Sequence, residues 1–286
     1  MSTQHIARFD SGSRQSDDRV LPEVRVAAVF VIAILILAVA VLYFNPDQTD
    51  THFAWTIKPA LTAMAMGAGY MMGIYFFARV AFLSRWHYAT VGFLPITAFT
   101  IWMLLATILH WDRFNHGAFA FTLWTAIYIL TPMLVPFLWF RNKGTDPGDA
   151  AGEVQVPIIA RKAVAVLGIA FVIVTGVCFI VPDVLIAIFP WKLTPLTARV
   201  VAGWMSFPGI GGLMLAREPR WSSWRLVVEA AFVGMVFFLL AIPRGWNDLI
   251  PTNPLTWVLL IVLVGSVIGI PVLYAFMQQQ RVADSR

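Results

Sequence analysis

Eight stretches of mostly apolar residues, each close to the length of about 20 that a helix needs to cross a bilayer, dominate this chain. They cover roughly 24–44, 54–82, 89–109, 119–140, 160–181, 195–216, 226–242 and 255–277. The second is the longest and the seventh the shortest. Only 12% of the residues are charged and 59% are hydrophobic, whereas a soluble domain carries about 25% charged residues. Lipid is therefore the expected main solvent, and the lipid bilayer the first expected partner.

Lys and Arg set the orientation. An even number of spans puts both termini on one side, and that side carries 15 of the 20 Lys and Arg residues. The positive-inside bias makes it cytoplasmic, in a multi-pass protein of the cell membrane. The net charge of +5 resides mainly in those loops. No basic cluster interleaved with aromatics lies outside the membrane, so nucleic acid is not an expected partner. The single cysteine, Cys178, lies in an apolar run. It excludes an intrachain disulfide or a multi-cysteine metal site and reads as a small buried residue.

An internal repeat organises the chain. Segment 45–63, NPDQTDTHFAWTIKPALTA, matches 181–198, VPDVLIAIFPWKLTPLTA. Pro46 and Pro182, Asp47 and Asp183, Phe53 and Phe189, Trp55 and Trp191, and Pro59 and Pro195 differ by 136 positions. One deletion later the offset is 135, joining Arg85-Trp86 to Arg220-Trp221, Trp111 to Trp246 and Pro136 to Pro271. A register held by Trp, Pro, Arg and Asp over this length indicates duplication. The expected fold is an all-α integral membrane protein with eight transmembrane helices. They form two tandem four-helix repeats of the same topology, with N and C termini cytoplasmic.

Its parts would be a disordered cytoplasmic tail (1–23), a first unit (24–140), a cytoplasmic linker (141–159), a second unit (160–277) and a short cytoplasmic tail (278–286). Trp55, Trp111, Trp191 and Trp246 are expected at the outer interface. Arg85-Trp86 and Arg220-Trp221 are expected at the inner one, with His87 beside them. Gly69 and Gly73, and Gly265 and Gly269, have the small-xxx-small spacing of close helix packing. SFPGIGG, 206–212, is either a kinked, tightly packed helix or a break that exposes backbone groups to a ligand.

What one repeat keeps and the other lacks is the better guide to chemistry. The outer loop LHWDRFNHG, 109–117, shares only Trp111 with its counterpart. His52, Lys58, His110, Asp112, Arg113 and His116 belong to the first unit alone, all on the outer side. With Trp55 they are the candidate ligand-binding residues at that mouth. Imidazoles and a carboxylate suit a cation; Lys58 and Arg113 suit an anion. A haem would want two facing histidines within spans, which the pattern lacks. His5 lies in the tail. Glu229 is the clearest carboxylate inside a span, either paired with Arg225 four residues earlier or available to a ligand. Arg199, one turn inside the sixth span, either reaches up to the interface or faces the interior.

Nucleotide-binding, metalloprotease and serine-hydrolase motifs are absent. No soluble segment is long enough to house an enzyme. No cofactor and no catalytic residue is assigned. Three functions fit these features. One is a transporter or permease-like protein holding a small, weakly polar solute or lipid between the two units. Another is a non-catalytic accessory or scaffold subunit among membrane-protein partners. The third is a membrane-embedded redox or metal enzyme using the outer histidines.

Overall fold

The computed structural model describes residues 17–82, 85–148 and 153–284. Residues 1–16 of the expected tail (His5 among them), 149–152 of the expected linker, 83–84 and 285–286 lie outside the described residues. Eight long helices carry the fold: α1 (Pro22–Val39), α2 (Ala60–Phe82), α3 (Thr90–Leu109), α4 (Phe119–Asn142), α5 (Ile158–Ile180), α6 (Pro195–Arg217), α7 (Trp221–Arg244) and α8 (Pro254–Asp284). A π-helical turn, Ala40–Phe44, prolongs α1. Among the described residues the only β-type pairing is one bridge between Gln155 and Arg220.

Seven of these helices are long and apolar enough to cross a membrane. This makes the chain a multi-pass membrane protein in its helical architecture. Helix α6 is also 23 residues long, but it carries Arg199, Ser206, Pro208 and a run of glycines, and it falls short on apolarity.

The helix ends differ from the hydropathy pattern where polar residues take part in the helix or apolar ones leave it. The second span does not begin at 54. Residues 53–59 form a separate segment that buries Phe53, Ala54, Trp55 and Ile57, and α2 starts at Ala60. The seventh span is not the shortest. Its helix begins at Trp221 and takes in Ser222, Ser223 and Arg225, giving 24 residues. Helix α8 runs past Met277 to Asp284. Residues 17–21, read as part of a tail, pack onto the bundle: Trp86 N–H donates to Asp18 O (2.7 Å) and Leu21 N–H to Asn142 Oδ1 (2.8 Å).

Packing follows two rows. Helix α2 lies against α1 and α7, and α7 carries α8; helix α6 lies against α5 and α3, and α3 carries α4. The halves of the chain therefore interlock, each lending its second helix to the third helix of the other. At the centre Gly69 of α2 leaves a notch for the Trp204 indole of α6. A Cβ at position 69 would stand 2.3 Å from Trp204 Cζ3. Tyr70, Phe99 and Phe207 pack round the same indole, with ring centroids 4.6–5.6 Å away. Gly203 makes a similar seat for Met103 of α3.

SFPGIGG does not break its helix: α6 is α-helical through Pro208. Gly209 and Gly212 serve contact with α5, where a Cβ on Gly168 would stand 2.9 Å from Gly209 O, and Gly211 faces Pro95 of α3. Gly73 faces Leu35 of α1. Gly265 and Gly269 behave otherwise: nothing lies within 4 Å of where their Cβ atoms would be.

The tryptophans divide. Trp111 and Trp246 are about half exposed, at 48% and 46%, as interfacial indoles are. Trp55 and Trp191 are buried in protein, because the segments before α2 and α6 fold back over the bundle. Trp86, Trp221 and Arg220 are buried as well, so these three are internal packing and not membrane anchors; Arg85 alone of the two Arg-Trp pairs is exposed.

Candidate functional site

The outer residues picked out by their asymmetry are held singly. His52 is exposed and its Nδ1 meets Thr51 Oγ1 (2.7 Å). Trp55 sits within an aromatic cage of Phe53, Phe114 and Trp124. Asp112 and Arg113 pair with each other in the open (3.4 Å). The His116 ring lies against Trp111 and Phe121. Lys58 is exposed just before α2. Among the described residues no group of three or more His, Cys, Asp or Glu side chains is placed to hold a metal ion.

His110 is the exception to their isolation. Arg199 of α6 donates from Nη1 to His110 Nε2 (2.7 Å) and from Nε to Phe179 O (2.9 Å). A guanidinium only donates, so Nε2 must be the unprotonated nitrogen of a neutral imidazole. Burial, and then the charge of Arg199, hold this imidazole below the usual histidine range. Arg199 thus ties the C-terminal ends of α3 and α5 to the first turns of α6. The corresponding place in the first half is held differently: Arg244 of α7 donates to Tyr43 O (2.8 Å) and lies over the Tyr43 ring.

The start of α2 shows how an asymmetric residue is compensated. Helix α6 is capped locally, since Thr194 accepts from Thr197 N–H in a capping box. Lys58 occupies the equivalent position before α2 and has no acceptor to offer. Asp248 supplies it instead, accepting from Leu61 N–H at 2.9 Å from the far half of the chain. Beside this contact is a cleft of about 430 Å³ bordered by Asp47, Gln48, Arg244, Asn247 and Asp248. A second outer cleft of about 700 Å³ is largely apolar, with Ile186, Phe189, Leu193 and Leu255 on its walls.

The densest polar constellation lies at the other end, round Glu229. Its Oε1 accepts from Arg225 Nε (3.0 Å) and Tyr274 Oη (3.2 Å). Its Oε2 accepts from Tyr75 Oη (2.8 Å) and from Arg79 Nη1. The pairing with Arg225 follows from the i,i+4 spacing. Tyr75, Arg79 and Tyr274 were not selected from sequence. Arg79 carries a signal of its own, a charge one turn inside a span, but its partner lies 150 positions away. The Glu229 side chain is 15% exposed and both arginine side chains are about one third exposed. The cluster joins α2, α7 and α8, and two cations to one anion leave one positive charge in excess.

On the same face, His87 is buried and not interfacial. Its Nδ1 bonds Asp18 and its Nε2 meets Ser222 Oγ at 3.1 Å, with Glu153 Oε1 at 3.7 Å from the same nitrogen. The ring clamps residues 17–21 to the start of α7. Arg220 makes a second clamp, bonding Asp146, Glu218 and Gly148 O. Burial would raise the Asp146 carboxyl; hydrogen bonds from Arg220 and Gly148 N–H outweigh it and hold the group below the usual carboxylate range.

Comparison of the chain with protein-family models, with characterised proteins and with solved structures finds no match. Its function is therefore argued from its own geometry.

Proposed function

We propose that this protein is a rigid, non-catalytic subunit or scaffold of a membrane assembly, built from two tandem four-helix repeats with eight crossings and both termini on the inner side. One observation carries the reading. The seam between the halves, where a solute-binding protein of this design would keep its cavity, is filled by side chains: Trp204 in the Gly69 notch, Met103 against Gly203, and Phe99 and Phe207 beside them. Permease-like transport of a small solute or lipid between the units, and redox or metal chemistry at the outer histidines, have no comparable support.

The duplication is supported by hydrogen bonds that recur at the sequence offset. Asn115 N–H donates to Ala54 O and Ile250 N–H to Pro190 O, both at 2.8 Å. Trp86 N–H donates to Asp18 O and Trp221 N–H to Val154 O. Arg25 reaches Ala81 O as Arg161 reaches Ala216 O. Two residue pairs that are counterparts, 135 positions apart, also touch: Gly69 with Trp204, and His87 with Ser222. A residue that touches its own counterpart lies on the axis relating the copies, so these pairs support a pseudo-twofold through the bundle. Reading α6 as a crossing follows from this pairing, since its counterpart α2 is one of the seven apolar helices.

Native-membrane extraction into lipid nanodiscs followed by mass spectrometry tests the subunit role. The expected result is a fixed stoichiometric complex with other membrane proteins. A solitary chain in proteoliposomes that moves a small solute would contradict it.

A further inference from the structure

The arginine pair beside Glu229 has capacity that the fold does not use. Glu229 is saturated: each carboxylate oxygen accepts two hydrogen bonds. The guanidiniums are not. Arg79 spends only Nη1, on Glu229 and Tyr75, and Arg225 spends only Nε. Among the described residues, Arg79 Nε and Nη2 and Arg225 Nη1 and Nη2 meet no acceptor.

Both side chains are positioned before any ligand arrives. Arg79 lies over the Tyr75 ring at 5.7 Å and Arg225 over the Tyr274 ring at 5.8 Å. Glu229 pins one edge of each fork. Ordering long side chains adds to the entropic cost of binding, and here that part is met within the fold. About one third of each side chain remains exposed. Arg79 lies three residues from the end of α2 and Arg225 four residues from the start of α7, about one turn inside the bundle end.

We infer that Arg79 and Arg225 form a binding site for a phosphomonoester group, with the free edges of the two guanidinium forks donating to its oxygens. Two guanidinium forks with unused donors match the several acceptor oxygens and double charge of that group better than a single-charge carboxylate. The excess positive charge of the cluster is what such an anion would neutralise. The phosphate can come from an anionic lipid or from solution, and the chemistry is the same.

The full-length protein in phosphatidylcholine nanodiscs is titrated with phosphatidic acid, and separately with inorganic phosphate, and bound species are counted by native mass spectrometry. The expected result is a preference for phosphatidic acid over phosphatidylcholine that Arg225→Gln lowers by about tenfold, the loss of a charge-assisted contact. Gln at 225 can still donate to Glu229, which protects the fold, and Arg225→Lys should keep the charge while losing part of the preference. Displacement of the lipid by inorganic phosphate would identify a soluble source; failure to displace it would identify the lipid. No preference in the wild type would overturn the inference. So would an equal loss in Arg141→Gln, an exposed arginine on the same face, since that would mean general surface attraction.

Discussion

Gly69→Ala is a one-carbon test of the filled seam. In an unobstructed helix this change is favourable, because alanine exceeds glycine in helix propensity by about 1 kcal/mol. Here the new carbon would stand 2.3, 2.6 and 3.0 Å from Trp204 Cζ3, Cη2 and Cε3. Ordinary carbon contacts begin near about 3.5 Å, so the indole must shift by about 1 Å. It is hemmed in by Tyr70, Phe99 and Phe207. Overpacking of this kind costs about 1–3 kcal/mol. At roughly 2–4 °C per kcal/mol for chains of about this size, the unfolding midpoint should fall by a few to about 10 °C. The assay is thermal unfolding of the purified protein in detergent, followed by circular dichroism. Gly265→Ala is the internal control: nothing lies near its new carbon, so it should be neutral or slightly stabilising. In a Trp204→Leu background most of the Gly69→Ala penalty should vanish, since contacting sites couple by about 0.5–3 kcal/mol. A Gly69→Ala protein as stable as the wild type, or a penalty indifferent to residue 204, would refute the packing argument.

Other consequences concern the outer end. Asp248→Ala removes the cap of α2 and should destabilise by about 1 kcal/mol; adding Lys58→Thr, which restores the local threonine used by α6, should recover most of the loss in the same melts. His110 binds its proton less readily in the fold than its ordinary value of 6.5. Below that value the unfolded chain takes up a proton that the folded one refuses, so stability is full at neutral pH and declines as pH falls through 6.5 towards the folded value. Melting from pH 7.5 to 5 should show this slope (the range is chosen about the ordinary histidine value of about 6.5), and His110→Gln should flatten it; an unchanged slope would remove His110 from the account.

Seven spans were legible because each is a run of apolar residues long enough to be read alone. Their ends were less so. Ser222, Ser223 and Arg225 look like loop by hydropathy yet open α7, because residues 154–156 and the bundle's inner end pack over them. The Trp55 segment looks like membrane yet folds back as a cap. Position along the chain placed that indole at the interface; tertiary burial decided otherwise. At the sites, sequence could give Glu229 and Arg225, four residues apart. It could not give Tyr75, Arg79 or Tyr274, whose approach depends on α2 and α8 both packing against α7. Lys58 and His110 stand out in sequence only because the second repeat lacks them. Asp248 caps α2 where Lys58 cannot, and Arg199 bonds His110; in both places the second half supplies a contact to the first, which sequence spacing does not show.

Thiol accessibility tests the filled seam most directly. In a Cys178→Ser background, Met103→Cys places a thiol where Met103 now has no exposed surface, against Gly203. His52→Cys marks the exposed outer loop as a positive control. Intact vesicles are treated with a membrane-impermeant maleimide, and inside-out vesicles likewise. The account predicts labelling at 52 from one side and none at 103 from either. Labelling at 103 from either side would mean that water enters between the halves, and the proposal of a rigid, non-transporting subunit would be wrong.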